Sequence, residues 1–198
     1  MKEWIGENMN YYVKPLKPEH AGTFTDYLGN LDFHHAPHWS TCFCRYYFSN
    51  CSFEEWVEKT GEANKKEALN EIKNGNMKGF LAFDGDTCIG WCNANDSRKF
   101  LRLENYLEPI IGGKKVGCII CYVVHPEYRN QGVARLLLKE AVKNFEQEGY
   151  DAVLALPVDN KEEPEKAYRG TLNMYLEHGF KEIEREENRS VMLLKLKN

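Results

Sequence analysis

The sequence has no long apolar run and no excess of basic charge. No stretch approaches the roughly 20 consecutive apolar residues that a membrane-spanning helix needs, and the opening residues Met1-Lys2-Glu3-Trp4 lack the apolar region of a signal peptide. The formal net charge is −4, whereas general nucleic-acid binders are usually basic. We therefore expect neither a membrane nor a nucleic acid as a partner.

Cysteines are present, but nothing in the sequence suggests that they form disulfides. There are seven, an odd number, so at least one lacks a disulfide partner within the chain. Because no export signal accompanies them, we expect reduced thiols and a cytoplasmic protein. The length of 198 residues favours one domain over residues 1–198, large enough to bury roughly 70% of the surface of the unfolded chain.

Apolar periodicity predicts helices in the first third of the chain and strands around its middle. Asp84-Gly85-Asp86 lies between two apolar runs, which is a strong hairpin signal, and Ser52 with Glu55 forms a capping box that starts a helix. The predicted elements are a strand at 11–13, helices after Pro18, Ser52 and Glu62, a hairpin of 80–83 with 87–95, and a polar connection at 96–115.

The second half of the chain alternates between strands and helices. The predicted elements are a buried strand at 118–124, a helix from 133 to 145, a strand at 152–156, a charged loop at 159–165, a helix ending at His178-Gly179, and a hairpin of 181–186 with 190–196. This order predicts an α+β fold with one parallel βαβ crossover at its centre.

Residues 117–145 carry the most informative pattern. The buried strand is followed by a tight basic turn, Arg129-Asn130-Gln131-Gly132, and then directly by a helix. Unpaired backbone N–H groups and the positive end of the helix dipole meet at such a turn, so it suits a phosphate. An ordinary strand-to-helix loop has the same local pattern, and neither a Walker A loop nor a dinucleotide fingerprint is present.

Two segments together resemble the signatures of the GCN5-related N-acetyltransferase (GNAT) family. Val-His-Pro-Glu-Tyr-Arg-Asn-Gln-Gly-Val-Ala, residues 124–134, resembles the family's acetyl-CoA motif, with Arg129, Gly132 and Ala134 at its three defined positions. Met-Tyr-Leu-Glu-His-Gly-Phe, residues 174–180, resembles its second signature. The resemblance covers about residues 80–196, and residues 11–28 fit the family's first strand and helix.

The resemblance implies a mixed, mostly antiparallel twisted sheet flanked by helices, and acetyl-CoA as co-substrate. It implies that backbone N–H groups of the turn bind the pyrophosphate and that an N–H of the central strand, at Val123 or Val124, binds the thioester carbonyl. The residues implied for the turn are Arg129, Asn130, Gln131, Gly132, Val133, Ala134 and Arg135. Arg129 either adds charge there or holds the turn by pairing with a carboxylate.

The resemblance also implies that Tyr175 is the general acid, which protonates the departing thiolate of CoA. Reference pKa values near 10 for tyrosine and 8.5 for a thiol allow a concerted proton transfer. The alternative is a half-buried aromatic on an amphipathic helix. Tyr168 and Thr171 stand where the family often has an asparagine and an alanine, and the central strand has no carboxylate, so Glu104, Glu108 or a water chain remain as candidates for the general base.

Residues 30–51 lie outside the family signatures and have no clear period. Three histidines and three cysteines, His34, His35, His38, Cys42, Cys44 and Cys51, alternate there with aromatic residues. Zinc prefers such ligands, but the Cys-x-Cys spacing is not that of a zinc knuckle, so we predict no metal site. Within a substrate-side elaboration of residues 30–75, we expect an aromatic pocket that, with Arg45, takes an acceptor with an apolar or anionic part.

We therefore expect an N-acetyltransferase that moves acetyl from acetyl-CoA to a primary amine by direct attack. A small-molecule amine is favoured over a protein as the acceptor, and a homodimer is compatible with the sequence. Two alternatives stay open. One is a non-catalytic acyl-CoA-binding or sensor module, and the other is a metal- or redox-responsive protein built on Cys42, Cys44 and Cys51.

Overall fold

The computed structural model describes residues 10–34, 36–158 and 168–197. Its strands are β1 (Tyr11–Pro15), β2 (Phe80–Asp84), β3 (Thr87–Asp96), β4 (Val116–Val124), β5 (Ala152–Ala155), β6 (Lys181–Glu186) and β7 (Arg189–Lys195). Its helices are α1 (Ala21–Asn30), α2 (Phe53–Glu58), α3 (Gly61–Lys73), α4 (Glu104–Ile111), α5 (Val133–Gln147) and α6 (Leu172–Glu177).

All these strands belong to one sheet, with the order β1-β2-β3-β4-β5-β7-β6. The pair β4–β5 is parallel, and the other neighbouring pairs are antiparallel. Helix α5 connects the two parallel strands, as the βαβ prediction requires. The predicted α+β class, with a mostly antiparallel sheet flanked by helices, is therefore confirmed.

Short-range signals in the sequence set several element boundaries. The backbone N–H of Glu55 donates to the Ser52 hydroxyl at 3.1 Å, and the N–H of Ser52 donates to the Glu55 carboxylate at 2.7 Å. This capping box starts α2 as predicted. The hydroxyl of Thr60 then accepts from the N–H of Ala63 and starts α3. Gly85 occupies the turn of the β2–β3 hairpin with a φ of 54°, a conformation that favours glycine.

The prediction of a polar connection over residues 96–115 is wrong for its central part, which forms α4. Leu107 and Ile111 lie one turn apart and are both buried, so tertiary packing stabilises this short helix. Gly112 ends it in the left-handed conformation and donates to the Glu108 carbonyl at 3.1 Å. Pro109 inside the helix obscured the period. The charged loop predicted at 159–165 lies outside the described residues.

Helices cover both faces of the sheet. On one face, the Phe24 ring of α1 packs edge-on against Trp91 of β3, with 4.7 Å between ring centroids. On the other face, α5 approaches β4 so closely that a Cβ atom on Gly117 would lie 2.6 Å from the Phe145 ring. A larger residue at 117 would push the helix away, so this contact helps to fix α5 against the central strand.

Strands β4 and β5 separate halfway along β4. Their pairing runs from Val116 opposite Ala152 to Ile119 opposite Ala155, where β5 ends. At that point β4 has a bulge, because Ile119 and Cys121 face consecutive residues of β3 and Ile120 is extra. The remainder of β4, up to Val124, has β3 on one side and an opening on the other. This split leads into the main cavity.

Candidate active site

One cavity of about 690 Å³ extends from the N-terminus of α5, along the split in the sheet, to the Cys/His segment. Its volume is within the range typical of small-molecule sites. The walls come from three parts of the sequence that only the fold brings together. From the sheet and α5 come Asn93, Cys121–Val124, Tyr128–Asn130 and Gly132–Arg135, from α1 and the segment after it come Leu28, Phe33, His38, Trp39, Cys42–Cys44, Tyr46, Tyr47, Phe53 and Trp56, and from α6 and the residues before it come Tyr168, Gly170, Thr171 and Met174.

The turn before α5 has the geometry of an anion-binding site. Gly132 is the N-cap residue in the left-handed conformation, with a φ of 84°, and no side chain caps the helix. The N–H of Leu136 makes the first helical bond, to the Gly132 carbonyl at 3.0 Å. The N–H groups of the first turn, at 133–135, therefore point out of the helix. A Cβ atom on Gly132 would meet nothing within 4 Å, so this turn has room for a phosphate.

The side chains of this turn have different roles. The carbonyl oxygen of the Gln131 side chain accepts from Tyr11 at 2.7 Å and its amide donates to the Glu127 carbonyl at 2.6 Å, so Gln131 braces the turn against β1. Arg129 lines the cavity and donates to the backbone carbonyl of Val124 at 3.4 Å. Arg129 thus contacts a backbone oxygen of the turn and also brings its charge to the cavity, and no described carboxylate is its recorded partner.

The direction of the backbone amides on β4 separates Val124 from Val123. Amide directions alternate along a strand. The N–H of Tyr122 points into the split, where it donates to the Tyr168 carbonyl at 2.6 Å. The N–H of Val124, two residues on, therefore points toward the cavity, whereas that of Val123 points to β3. Of the two residues implied for the thioester carbonyl, only Val124 has an N–H in the required direction.

Tyr175 is buried directly behind the cavity wall. Its side chain has no exposed surface, and its hydroxyl donates to the Arg169 carbonyl at 2.8 Å. Gly170 lines the cavity in front of it, and a Cβ atom on Gly170 would lie 3.1 Å from the Tyr175 oxygen. Burial raises the pKa of Tyr175 well above its ordinary value. The phenol therefore keeps its proton at neutral pH, one residue away from the cavity.

Tyr122 is a candidate that the sequence analysis missed. It lies on β4, lines the cavity, and has a buried hydroxyl. That hydroxyl lies beside Tyr175 and Cys92, and burial together with Tyr175 raises the pKa of Tyr122. Side chains two residues apart on a strand share a face of the sheet, so alternation from Val124 would have placed Tyr122 on the same face of β4.

Tyr168 occupies the position where the family often has an asparagine. Its carbonyl accepts the Tyr122 amide across the split, and its hydroxyl lies 3.0 Å from that of Tyr47. The Arg169 guanidinium also donates to the Tyr47 hydroxyl. These contacts attach the chain before α6 to the Cys/His segment, so they help to close the cavity.

The carboxylates suggested as the general base do not reach the cavity. Glu104 and Glu108 are exposed on α4, and neither is among the residues that line it. In the part of the chain that the structure describes, the cavity wall contains no carboxylate, and His38 is its one imidazole. A direct carboxylate base is therefore not supplied by the described residues.

The Cys/His segment packs against the sheet through Cys44. Trp91 donates its indole N–H to the Cys44 sulfur at 3.2 Å, and the Cys121 sulfur lies 3.9 Å from it. The hydrogen bond to Cys121, together with burial, raises the pKa of the Cys44 thiol well above its ordinary value. Over the described ranges, which omit His35, no three His, Cys, Asp or Glu residues are grouped as metal ligands would be.

Arg45 does not face the aromatic cavity, so the prediction that it would hold an anionic part of the acceptor is wrong. It is buried behind the segment, where its Nε lies 3.7 Å from a carboxylate oxygen of Glu67 and its guanidinium lies 5.2 Å from the Phe48 ring centroid. The left-handed backbone at Phe43 and Cys44 changes the chain direction just before Arg45. That turn could not be read from the pattern.

Solved structures with the same fold are numerous, although their sequences differ widely from this one. A GNAT acetyltransferase from Streptococcus pneumoniae is 16% identical with a TM-score of 0.53, and the match covers 93% of this chain and 98% of the other. The paia N-acetyltransferase of Thermoplasma acidophilum, solved with coenzyme A, is 16% identical with a TM-score of 0.54, and the match again covers 93% of this chain and 98% of the other. A polyamine N-acetyltransferase from Drosophila melanogaster is 12% identical with a TM-score of 0.57, and the match covers 93% of this chain and 99% of the other. No curated protein sequence matches the chain.

The sequence itself matches one family model. The match runs over residues 38–180 and is to the acetyltransferase (GNAT) family. These residues include the turn before α5, the split of β4 and the Tyr175 signature. No described helix is both long and apolar enough to cross a bilayer. The chain belongs to the GNAT family and is an acetyltransferase that uses acetyl-CoA as co-substrate.

Proposed function

We propose that the protein transfers the acetyl group of acetyl-CoA to the nitrogen of a small-molecule primary amine, by direct attack on the thioester. The observation that supports this most is the continuous cavity, which joins the anion-binding turn of α5 to an aromatic pocket through the split in the sheet. A cavity closed on several sides suits a small molecule better than a protein chain.

The cofactor half of the cavity fits the pyrophosphate of acetyl-CoA. The N–H groups of Val133, Ala134 and Arg135 would hold it, with the dipole of the 15-residue helix α5 behind them. Each hydrogen bond to a charged acceptor contributes about 1.5–3 kcal/mol, so a few of them are enough for micromolar binding. Arg129 and Asn130 line the same space. In this proposal Gln131 contributes through its backbone, because its side chain is bonded toward β1.

The amide of Val124 is the proposed donor to the thioester carbonyl oxygen. A fixed N–H aimed at an oxygen that gains negative charge stabilises the transition state. The acceptor must arrive as a neutral amine, and the described wall offers only the His38 imidazole or solvent to take its proton. A chain of water molecules is therefore the proposed route for the amine proton.

Tyr175 is the proposed general acid for the CoA thiolate. Its raised pKa keeps it protonated, and its position behind Gly170 leaves it close to the split. To protonate the sulfur, the hydroxyl must exchange its Arg169 partner for the thiolate. Tyr122 is the second candidate, since it lines the cavity and its hydroxyl lies beside Tyr175.

A thiol-release assay tests the proposal. Acetyl-CoA would be mixed with the protein and a broad panel of primary amines, and free CoA and the acetylated amide would both be quantified. At least one small amine should yield the two products in equal amounts. If acetyl-CoA binds but no amine yields CoA, transfer to a small amine is wrong.

A further inference from the structure

The half of the cavity opposite α5 is rich in aromatic rings. We call this part the aromatic basin. It is lined by Phe33, Trp39, Tyr46, Tyr47, Phe53 and Trp56. Flat apolar walls of this kind bind flat apolar groups, both by burial of surface and by edge-to-face ring contacts. The basin is therefore a site for a ring or a comparable apolar body.

The rings of the basin hold one another in place. Tyr46 packs edge-on against Trp56, with 5.2 Å between centroids, and against Tyr47 at 5.0 Å. Trp39 packs edge-on against Tyr168 at 5.2 Å. Such contacts restrict ring rotation, so a ligand entering the basin has less side-chain motion to suppress.

Arg102 fixes the Tyr46 side of the basin. Its guanidinium lies 4.3 Å from the Tyr46 ring centroid and donates to the backbone carbonyls of Tyr46 and Cys51, both at 2.8 Å. A cation over the face of a ring, with two hydrogen bonds to the adjoining backbone, is a rigid arrangement. The basin is thus largely formed before any acceptor arrives.

The charge of the cavity wall disfavours an acceptor with several positive charges. Its described cationic residues are Arg129 and Arg135, and its described wall contains no carboxylate. Among the described residues of the wall, a second ammonium group would find no counter-charge to offset the hydration that it loses. Glu67, the acid beside the buried Arg45, is already paired with Lys59 and Arg45.

We infer that the acceptor is a primary amine on a flat apolar body, an arylalkylamine, which Trp39 and Trp56 select over polyamines. The inference rests on the proposed function and adds the chemical class of the acceptor. The apolar body occupies the basin between the rings, and the single amino group extends toward Val124 and the split. The two tryptophans act by binding the acceptor and take no part in the proton transfers.

The test compares two acceptors and three variants. The values of kcat/KM for phenylethylamine and for spermidine would be measured by CoA release, for wild type and for Trp39→Ala, Trp56→Ala and Tyr106→Ala. Tyr106 is the control, an aromatic residue 42% exposed on α4 and outside the cavity. Phenylethylamine should be preferred by about tenfold or more. Each tryptophan variant should lose about 10–100-fold for phenylethylamine and clearly less for spermidine, with an unchanged KM for acetyl-CoA.

Direct binding of phenylethylamine separates the proposed acceptor class from the proposed amine acetylation. Quenching of tryptophan fluorescence by phenylethylamine, without acetyl-CoA, should be saturable in wild type and in Tyr106→Ala, and weakened in both tryptophan variants. A preference for spermidine, or equal losses for both amines, would overturn the acceptor class while leaving amine acetylation intact. Saturable quenching without turnover of any amine would overturn the proposed function and support the basin as a binding site. Absence of saturable quenching would overturn the assignment of the basin as the acceptor site.

Discussion

The hydroxyl of Tyr175 donates a hydrogen bond to the backbone carbonyl of Arg169 at 2.8 Å. This bond spans the start of α6, and Gly170 lies between its two ends on the cavity side. A Cβ atom at position 170 would approach the phenol oxygen to 3.1 Å. The glycine thus allows the phenol to lie close beneath the wall of the cavity.

Tyr175→Phe tests the general acid. We expect turnover to fall about 10²–10⁴-fold with nearly unchanged affinity for acetyl-CoA, because only the proton donor is removed. Initial rates of CoA release and calorimetric titration with acetyl-CoA measure the two effects.

Tyr150→Phe is the matched control for that variant. Tyr150 is buried in the same hydrophobic cluster and does not line the cavity, so the loss of its hydroxyl should leave turnover unchanged. Wild-type turnover in Tyr175→Phe would refute the acid assignment. If turnover falls comparably in Tyr122→Phe and not in Tyr175→Phe, Tyr122 is the general acid instead.

Gly132→Glu tests the anion-binding turn. The new side chain would place bulk and negative charge where the N–H groups of 133–135 point, so acetyl-CoA binding should be abolished. Gly149→Glu is the control, because Gly149 has a similar φ of 73° with open space beside it, just beyond the other end of α5. Both variants should be equally strained, and calorimetry should show loss of acetyl-CoA binding only in Gly132→Glu. Normal affinity in Gly132→Glu would contradict the model of the turn.

Arg135 and Glu177 form an ion pair between α5 and α6, with an N–O distance of 2.8 Å, and both side chains are about half exposed. Such a pair contributes about 1 kcal/mol or less to stability. Arg135→Ala should therefore change the melting temperature little but raise KM for acetyl-CoA several-fold, more at low salt, because a charge beside the turn is lost.

Lys143→Ala is the control for this variant, since Lys143 pairs with Glu140 farther along the same helix. It should change neither the melting temperature nor KM. An equal rise of KM in both variants would show a general effect of net charge rather than a role for Arg135.

Stability should fall in alkaline solution because buried thiols resist ionisation. Burial raises the pKa of Cys118 from 9.0 to about 12. The unfolded chain loses this proton near pH 9, whereas the folded chain loses it only near pH 12. The contribution of the thiol to the free energy of unfolding is therefore complete below about pH 9 and is lost as pH rises toward 12. At about pH 10.5 the loss from this group is about 2 kcal/mol.

Thermal unfolding between about pH 8 and pH 11 measures this effect. Cys118→Ala, although less stable at neutral pH because of the cavity it creates, should show a shallower decline. Parallel declines in wild type and variant would mean that Cys118 does not titrate differently in the two states.

The sequence was most informative where a local signal has a local cause. The capping box of Ser52 and Glu55 forms because its partners are three residues apart, and Gly85 turns the hairpin because few other residues adopt its φ. The Gly132 turn likewise follows from one strand, one glycine and one helix in succession. Helix α4 was missed because its two buried residues, Leu107 and Ile111, are stabilised by distant packing.

By itself, the sequence determined the α+β class, the turn that suits a phosphate and the acetyl-CoA co-substrate, because each depends on residues close together in the chain. Only the tertiary structure decided that Val124 and not Val123 directs its amide into the split, that Tyr175 is buried behind Gly170, and that Arg45 turns away from the aromatic basin. These outcomes depend on strand pairing and on contacts between segments far apart in the chain, such as Cys44 with Cys121. The composition of a segment specifies which groups it contains, and the packing of the whole chain determines which way they point.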